Sequence, residues 1–272
     1  MKDITDLKDE IAEKLSAKYC GVSYKKCTKD KCPCLVAAEI KSIMQSVIPD
    51  PYWKFSIKNF NGFDNLGEKI VKSDVIKNAK EVMIKYLWDG LSIGDVEDTP
   101  DFELDKKSSI DKRLSSGTNF IIYGNIAFQD RKENKTKKGR TLIASLIMKE
   151  AIKRRLNVGG NIQTYDWISF SKLKSFLFSS SKDESVEFIN CASADWLVID
   201  DITINVNALS NEASYVSSRL DSFLDTRLDD KKPNILVFRF DVEKEMQRIE
   251  DSLGVSVFKI VSDPNTFKIK LD

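Results

Sequence analysis

The spacing of apolar residues changes character along the chain. Near the amino end Ile4, Leu7, Ile11 and Leu15 recur every three or four residues, which is the spacing of one helix face, and they predict an amphipathic helix over residues 3–18. LVAAEIKSIMQSV, directly after Cys34, predicts a second helix. It stops at Ile48-Pro49-Asp50-Pro51, because proline lacks an amide donor and pushes its predecessor away from helical backbone. That stop is the expected boundary between a small helical domain, residues 1–47, and a larger one, residues 48–272. Beyond it KIVKSDVIKNAKEVMIKYLW predicts a long helix, and residues 90–118 a polar loop or insertion.

From residue 119 onward short apolar runs alternate with helical stretches. NFIIYG, IQTYDWISF, WLVIDDI and NILVFRF suit strands buried on both faces. TLIASLIMKEAIKRRL, KLKSFLF with ESVEFINCA, and EASYVSSRLDSFLDTRL carry the helical patterns between them. Such alternation predicts an α/β domain, a parallel sheet with helices on both faces. There is no internal repeat or low-complexity tract.

Composition narrows the chemistry. A chain of 272 residues is long enough for one large α/β domain and a small appendage. Lys and Arg total 43 against 42 Asp and Glu, so this is no polycation built to coat nucleic acid, and any such contact must come from a local patch. The absence of histidine excludes Ser-His-Asp triads, Cys-His nucleophiles and His-rich zinc sites. Carboxylates, cations and bound metal are what remain. No run approaches the ~20 apolar residues that span a bilayer, and the charged start MKDITDLKDEIAEK has no apolar signal core. The expectation is a soluble, cytoplasmic protein with no membrane partner.

Two segments combine into a candidate phosphate site. The first strand ends at Gly124, and a helix is expected to open at Gly139-Arg140-Thr141. Its free amides and positive dipole end suit a phosphate, Gly139 permits close approach, and the Thr141 hydroxyl is of the kind that holds Mg²⁺. The phosphate-loop pattern is G-x-x-x-x-G-K-[ST]. Here fourteen residues, 125–138, separate the glycines, and Arg140 stands where that pattern has lysine. The swap is not conservative, since a planar guanidinium prefers forked contacts where an ammonium acts as a point charge. WLVIDDI then delivers Asp200 and Asp201 from a buried strand. Adjacent buried acids call for a cation; the first suits Mg²⁺, and the second suits orienting or deprotonating a water.

In this order the elements resemble the AAA+ domain of bacterial and phage replicative-helicase loaders, the DnaC and DnaI group, with the transposition ATPase IstB as a relative. The matching pieces are IPDPYWKFSIKNF, IIYGN, GRTLIASLIMKEA, WLVIDDI and SRLDSFLDTRLDDKKPNILVFRF. The resemblance implies a P-loop NTPase-like fold binding ATP or ADP with Mg²⁺ at Thr141 and Asp200. It further implies Asp201 as the second acid, and Arg227, or else Arg219, as an arginine finger toward a neighbouring copy. Three departures bear on turnover: Arg140 in the phosphate loop, Arg239 where the family has a sensor asparagine, and Ser252, with Arg248 nearby, where it has a late sensor arginine. Losing such donors reduces transition-state stabilisation more than binding, so the expectation is nucleotide binding with at most weak ATPase activity.

The remaining candidate chemistry lies outside this pairing. Cys20, Cys27, Cys32 and Cys34 form C-x6-C-x4-C-x-C, four thiolates that would close a structural Zn²⁺ site and supply folding energy to short helices, with an iron-sulfur cluster or unliganded thiols as alternatives. Cys191 reads as core. Residues Arg131 to Arg155 hold ten Lys or Arg and two Glu, a solvated face or a contact for phosphate or single-stranded DNA. The combined expectation is a helicase loader whose zinc domain docks on a replicative DNA helicase, with an AAA+ domain that self-associates. The rivals are a transposition-type AAA+ regulator and a non-catalytic interaction protein on the same scaffold.

Overall fold

The computed structural model describes residues 9–14, 33–49, 52, 55–58, 60, 73–124, 135–154, 163–178, 186–204 and 211–271. In chain order the helices before the sheet are α1 (residues 9–14), α2 (Pro33–Val47), α3 (Ser73–Leu87), α4 (Ile93–Asp98), α5 (Asp101–Lys106) and α6 (Ile110–Ser116). Then follow β1 (Phe120–Tyr123), α7 (Lys135–Arg154), β2 (Tyr165–Ser169), α8 (Phe170–Phe178), α9 (Val186–Ser193) and β3 (Trp196–Ile202). The last part holds α10 (Asn211–Asp229), β4 (Asn234–Phe238), α11 (Met246–Leu253), α12 (Val255–Ser262) and β5 (Phe267–Lys270).

The five strands form one parallel sheet in the order β2-β3-β4-β1-β5. This is the expected α/β, P-loop NTPase-like arrangement. β4 lies between β1, which leads into the candidate phosphate segment, and β3, which carries the two acids. Alternation along each strand sorts the core into two layers. Phe120, Ile122, Trp196, Val198, Ile235 and Val237 face α2, α3 and α7. Ile121, Tyr123, Leu197, Ile199, Leu236 and Phe238 face the layer of α8 and α10 to α12. Because both faces are covered, β1 and β4 are buried at every residue, which explains why they read as unbroken apolar runs.

α7 is the central helix of its layer. Leu142, Ile143, Ala144, Leu146, Ile147, Met148, Ala151 and Ile152 are all buried, since the helix packs on the sheet with one side and on α2, α3 and α6 with the others. A helix apolar all round is what such enclosure requires. The buried Ser145 is satisfied within the helix, its Oγ donating to the Thr141 carbonyl at 2.7 Å.

Several expectations change. Residues 90–118 are three short helices rather than a polar loop. Ser92 caps α4 in a reciprocal capping box with Asp95, and Val96, Leu104 and Ile110 enter the core. The long helix after the boundary is present over Ser73–Leu87, and the first four residues expected for it, 69–72, lie outside the described residues. The boundary after residue 47 is no gap in packing: Ile43, Met44 and Ile48 belong to the same core as α7, so α2 is part of the main packing unit. Ile11 and Ala12 of α1 meet Leu35 and Ala38 of α2. β5 and the two helices before it were not anticipated.

Gly124, directly after β1, is pressed against the segment that follows β5. Leu271 N donates to the Tyr123 carbonyl at 2.7 Å, and a Cβ added at Gly124 would lie 1.9 Å from the Leu271 carbonyl oxygen. Gly124→Ala is therefore expected to lower the unfolding free energy by about 2 kcal/mol, within the range for overpacking, seen as a lower urea midpoint at unchanged slope.

Candidate functional site

The site forms where α7 meets the carboxyl ends of β1, β4 and β3, the edge at which ligands bind in open parallel sheets. Asp200 shares strand parity with Trp196 and Val198, so its carboxylate falls on the α7 face. There Thr141 Oγ1 donates to Asp200 Oδ2 at 3.1 Å. The two residues are 59 positions apart in sequence, and the fold brings them into direct contact. A hydroxyl beside a carboxylate is an oxygen pair that suits Mg²⁺, which takes one or two protein oxygens and fills its octahedron with waters and phosphate oxygens.

Arg140 also points inward. It is 1% exposed, its Nη1 donates to the Gly124 carbonyl at 3.2 Å, and its Nη2 finds no partner among the described residues. Burial, followed by repulsion from Arg239, pulls its pKa down to about 10, against the attraction of Asp201 and Asp200. It stays cationic at neutral pH. A buried donor without an acceptor costs ~1–3 kcal/mol, which an anion reaching Nη2 would offset.

The second acid is held differently. Regular alternation would turn Asp201 away from Asp200, to the α10 face. Instead the β3–β4 register shifts between Ile199 and Ile202, and Asp201 adopts a left-handed backbone with φ of 71°. Such a conformation costs on the order of 1 kcal/mol for a residue other than glycine and persists only where the surroundings enforce it. Here Arg239, at the end of β4, donates from Nε and Nη2 to the two oxygens of the Asp201 carboxylate. The Arg239 amide also donates to the Ile202 carbonyl at 2.9 Å. This forked pair ties the carboxyl end of β4 to that of β3.

Other expected site residues fall elsewhere. α7 begins at Lys135, so Gly139 lies inside the helix and does not open it; no helix breaker stands in KTKK, and the free amides of the first turn belong to residues before Gly139. Arg227 is not a finger. It is 1% exposed at the opposite, amino-terminal edge of the sheet, with Nε on Asn234 Oδ1 at 2.7 Å, Nη1 on the Cys191, Ala192 and Ala194 carbonyls, and Nη2 on the Pro233 carbonyl. It caps the end of α9 and braces the starts of β3 and β4. Arg219 is the exposed cation of α10, its guanidinium 5.2 Å from the Tyr215 ring centroid. Cys34 is buried at the start of α2, while Cys20, Cys27 and Cys32, and the 125–134 part of the insertion, lie outside the described residues. Arg248 pairs with Glu245 at 2.8 Å, and Ser252 is buried.

One feature had no counterpart in the sequence reading. Phe178, at the end of α8, and Tyr215, near the start of α10, are 42% and 41% exposed and stack at 6.2 Å and 27°, with Arg219 beyond the tyrosine. The signal available was the apolar overrun at the end of KLKSFLF. No helix among the described residues is long and apolar enough to cross a membrane.

No family model matches the chain, and no curated protein matches it. Among solved structures it is similar to one described as "Crystal Structure of the DnaI", at 13% identity and a TM-score of 0.41, over 71% of this chain and 94% of that one. The likeness is loose enough that the site is read from its own geometry.

Because five hydrogen bonds converge on Arg227, replacing it has a distinctive expected outcome. Arg227→Ala lowers unfolding free energy by about 3 kcal/mol or more, and Arg227→Lys recovers only a minor part, since an ammonium cannot reproduce the fork. Urea unfolding of both variants checks this; a finger residue would leave the midpoint unmoved.

Proposed function

We propose that this chain is a helicase loader of the DnaC and DnaI kind, a nucleotide-holding assembly factor more than an efficient ATPase. The observation that carries the reading is the 3.1 Å contact of Thr141 with Asp200 at the carboxyl edge of the sheet. ATP or ADP lodges between that contact and the amino half of α7, with Arg140 Nη2 as a waiting donor for a phosphate oxygen. Thr141 and Asp200 hold its magnesium, which when bound neutralises phosphate charge. What the chain itself contributes is position: α7 fixes the hydroxyl, β3 fixes the carboxylate, and Gly124 marks where the phosphate segment leaves the sheet.

The partner assignments follow from the same reading. The amino-terminal cysteines, Cys20, Cys27, Cys32 and Cys34, hold zinc and dock on a replicative DNA helicase. The exposed stack of Phe178 and Tyr215, with Arg219 over its outer ring, supports contact with single-stranded DNA, whose bases pack on aromatic faces and whose phosphates attract a neighbouring cation. Copies of the α/β domain associate side by side, without Arg227 reaching across.

Two measurements test this. In calorimetry with magnesium present, Asp200→Asn is expected to weaken nucleotide binding by about tenfold, equivalent to ~1.4 kcal/mol, and to change little in EDTA. An unchanged affinity in magnesium would contradict the site. In co-purification, the full chain retains the helicase and about one zinc, the four-thiolate stoichiometry, and the Cys27→Ser/Cys32→Ser chain loses both. Helicase retained by the zinc-free variant contradicts the docking assignment.

A further inference from the structure

We infer that Arg239 is a built-in brake on hydrolysis: by engaging both oxygens of Asp201 it keeps the second acid from a water, so the site holds a nucleoside triphosphate without cleaving it. The inference deepens the nucleotide reading above and rests on it.

Cleavage of ATP joins a water oxygen to the terminal phosphorus, breaks the bond from that phosphorus to the bridging oxygen, and leaves ADP, inorganic phosphate and the proton that the water gives up. A carboxylate at the end of the acid strand is the group that can orient the water and accept its proton. Asp201 is that group by sequence. In the fold its carboxylate is committed to a guanidinium in the two-bond geometry that matches it best. To meet a water lined up with a terminal phosphate, it must release Arg239.

Three features mark the pairing as built. The strand register slips at this point, and the backbone of Asp201 enters a conformation that few residues other than glycine adopt. Second, the main chain secures the partner too, through the hydrogen bond from the Arg239 amide to the Ile202 carbonyl. Third, the pair is sheltered, with Arg239 33% and Asp201 24% exposed, so it does not share the weakness of a fully solvated ion pair. Arg140 stands close enough to feel both members. Its unpartnered Nη2 is the obvious substitute partner for Asp201 if Arg239 is removed, so the test removes that option as well.

The experiment uses the full-length chain in wild-type form and as Arg239→Asn, Arg239→Lys, Arg140→Lys/Arg239→Asn, and that double variant carrying Asp201→Asn. MgATP binding is measured by calorimetry and turnover by phosphate release, with thermal melts to establish folding. Wild type is expected to bind MgATP and release little phosphate. The double variant is expected to raise kcat by about tenfold or more, short of the ~10²–10⁴ that a positioned base contributes because other cationic donors are still absent, and adding Asp201→Asn is expected to abolish the gain. Arg239→Lys, which keeps the charge without the fork, gives a smaller rise and serves if the asparagine variants do not fold. Tight MgATP binding with kcat unchanged in every folded variant overturns the brake but leaves the nucleotide reading intact. Fast turnover in wild type also overturns it. Absence of MgATP binding in wild type ends both.

Discussion

The seating of α7 governs the rest of the molecule. Its residues from Leu142 to Ile152 are enclosed by the sheet on one side and by α2, α3 and α6 on the others, so the helix has almost no freedom to slide or rotate. Thr141 and Arg140 sit at the amino end of that enclosed stretch. Their positions relative to Asp200 and Gly124 are therefore set by apolar packing, and the 3.1 Å contact with Asp200 is an outcome of that packing rather than its cause. A site built this way tolerates changes in its polar members without losing its shape.

Charge is where this site departs from an ordinary phosphate pocket. Two guanidiniums, Arg140 and Arg239, stand beside two carboxylates, Asp200 and Asp201, and the formal sum is zero. A phosphate pocket normally presents surplus positive charge or free amides to an anion. Here much of the cationic capacity of β4 is spent on Asp201, and the amides of residues 139–141 lie within the helix. Among the described residues, Arg140 Nη2 is a buried donor left without a partner.

The legible part of the fold followed from burial on two faces. FIIY, WLVIDDI and NILVF read as strands because covered strands need no polar alternation, and the Thr141–Asp200 pairing was foreseeable from residue type at the ends of such elements. The helices α4 to α6 were hidden because six or seven residues are too few to show a helical period. β5 was hidden because FKIK, at the sheet edge with only Ile269 buried, alternates with lysines like a solvated loop. Arg227 was misread since a basic residue on a helix looks the same from sequence whether it faces solvent or braces a buried turn; the carbonyls it serves come from two separate segments, residues 191–194 and Pro233. The fork on Asp201 was invisible because neither the register slip beside it nor its left-handed backbone leaves a trace in the residue pattern.

The place of β5 bears on how the molecule is made. Among the described strands β1 comes first in the sequence, yet it is flanked by β4 and β5, the last two of them. During synthesis it must wait, apolar and unpaired at both edges, until those late segments emerge. Such distant pairings slow folding and leave exposed edges that attract other chains. The helices α2, α3 and α6, all earlier in the sequence and packed against the same layer as β1, offer that strand shelter in the interval. Seen from the ribosome, the amino-terminal helices act as a nursery for a sheet whose central seam closes only at the end.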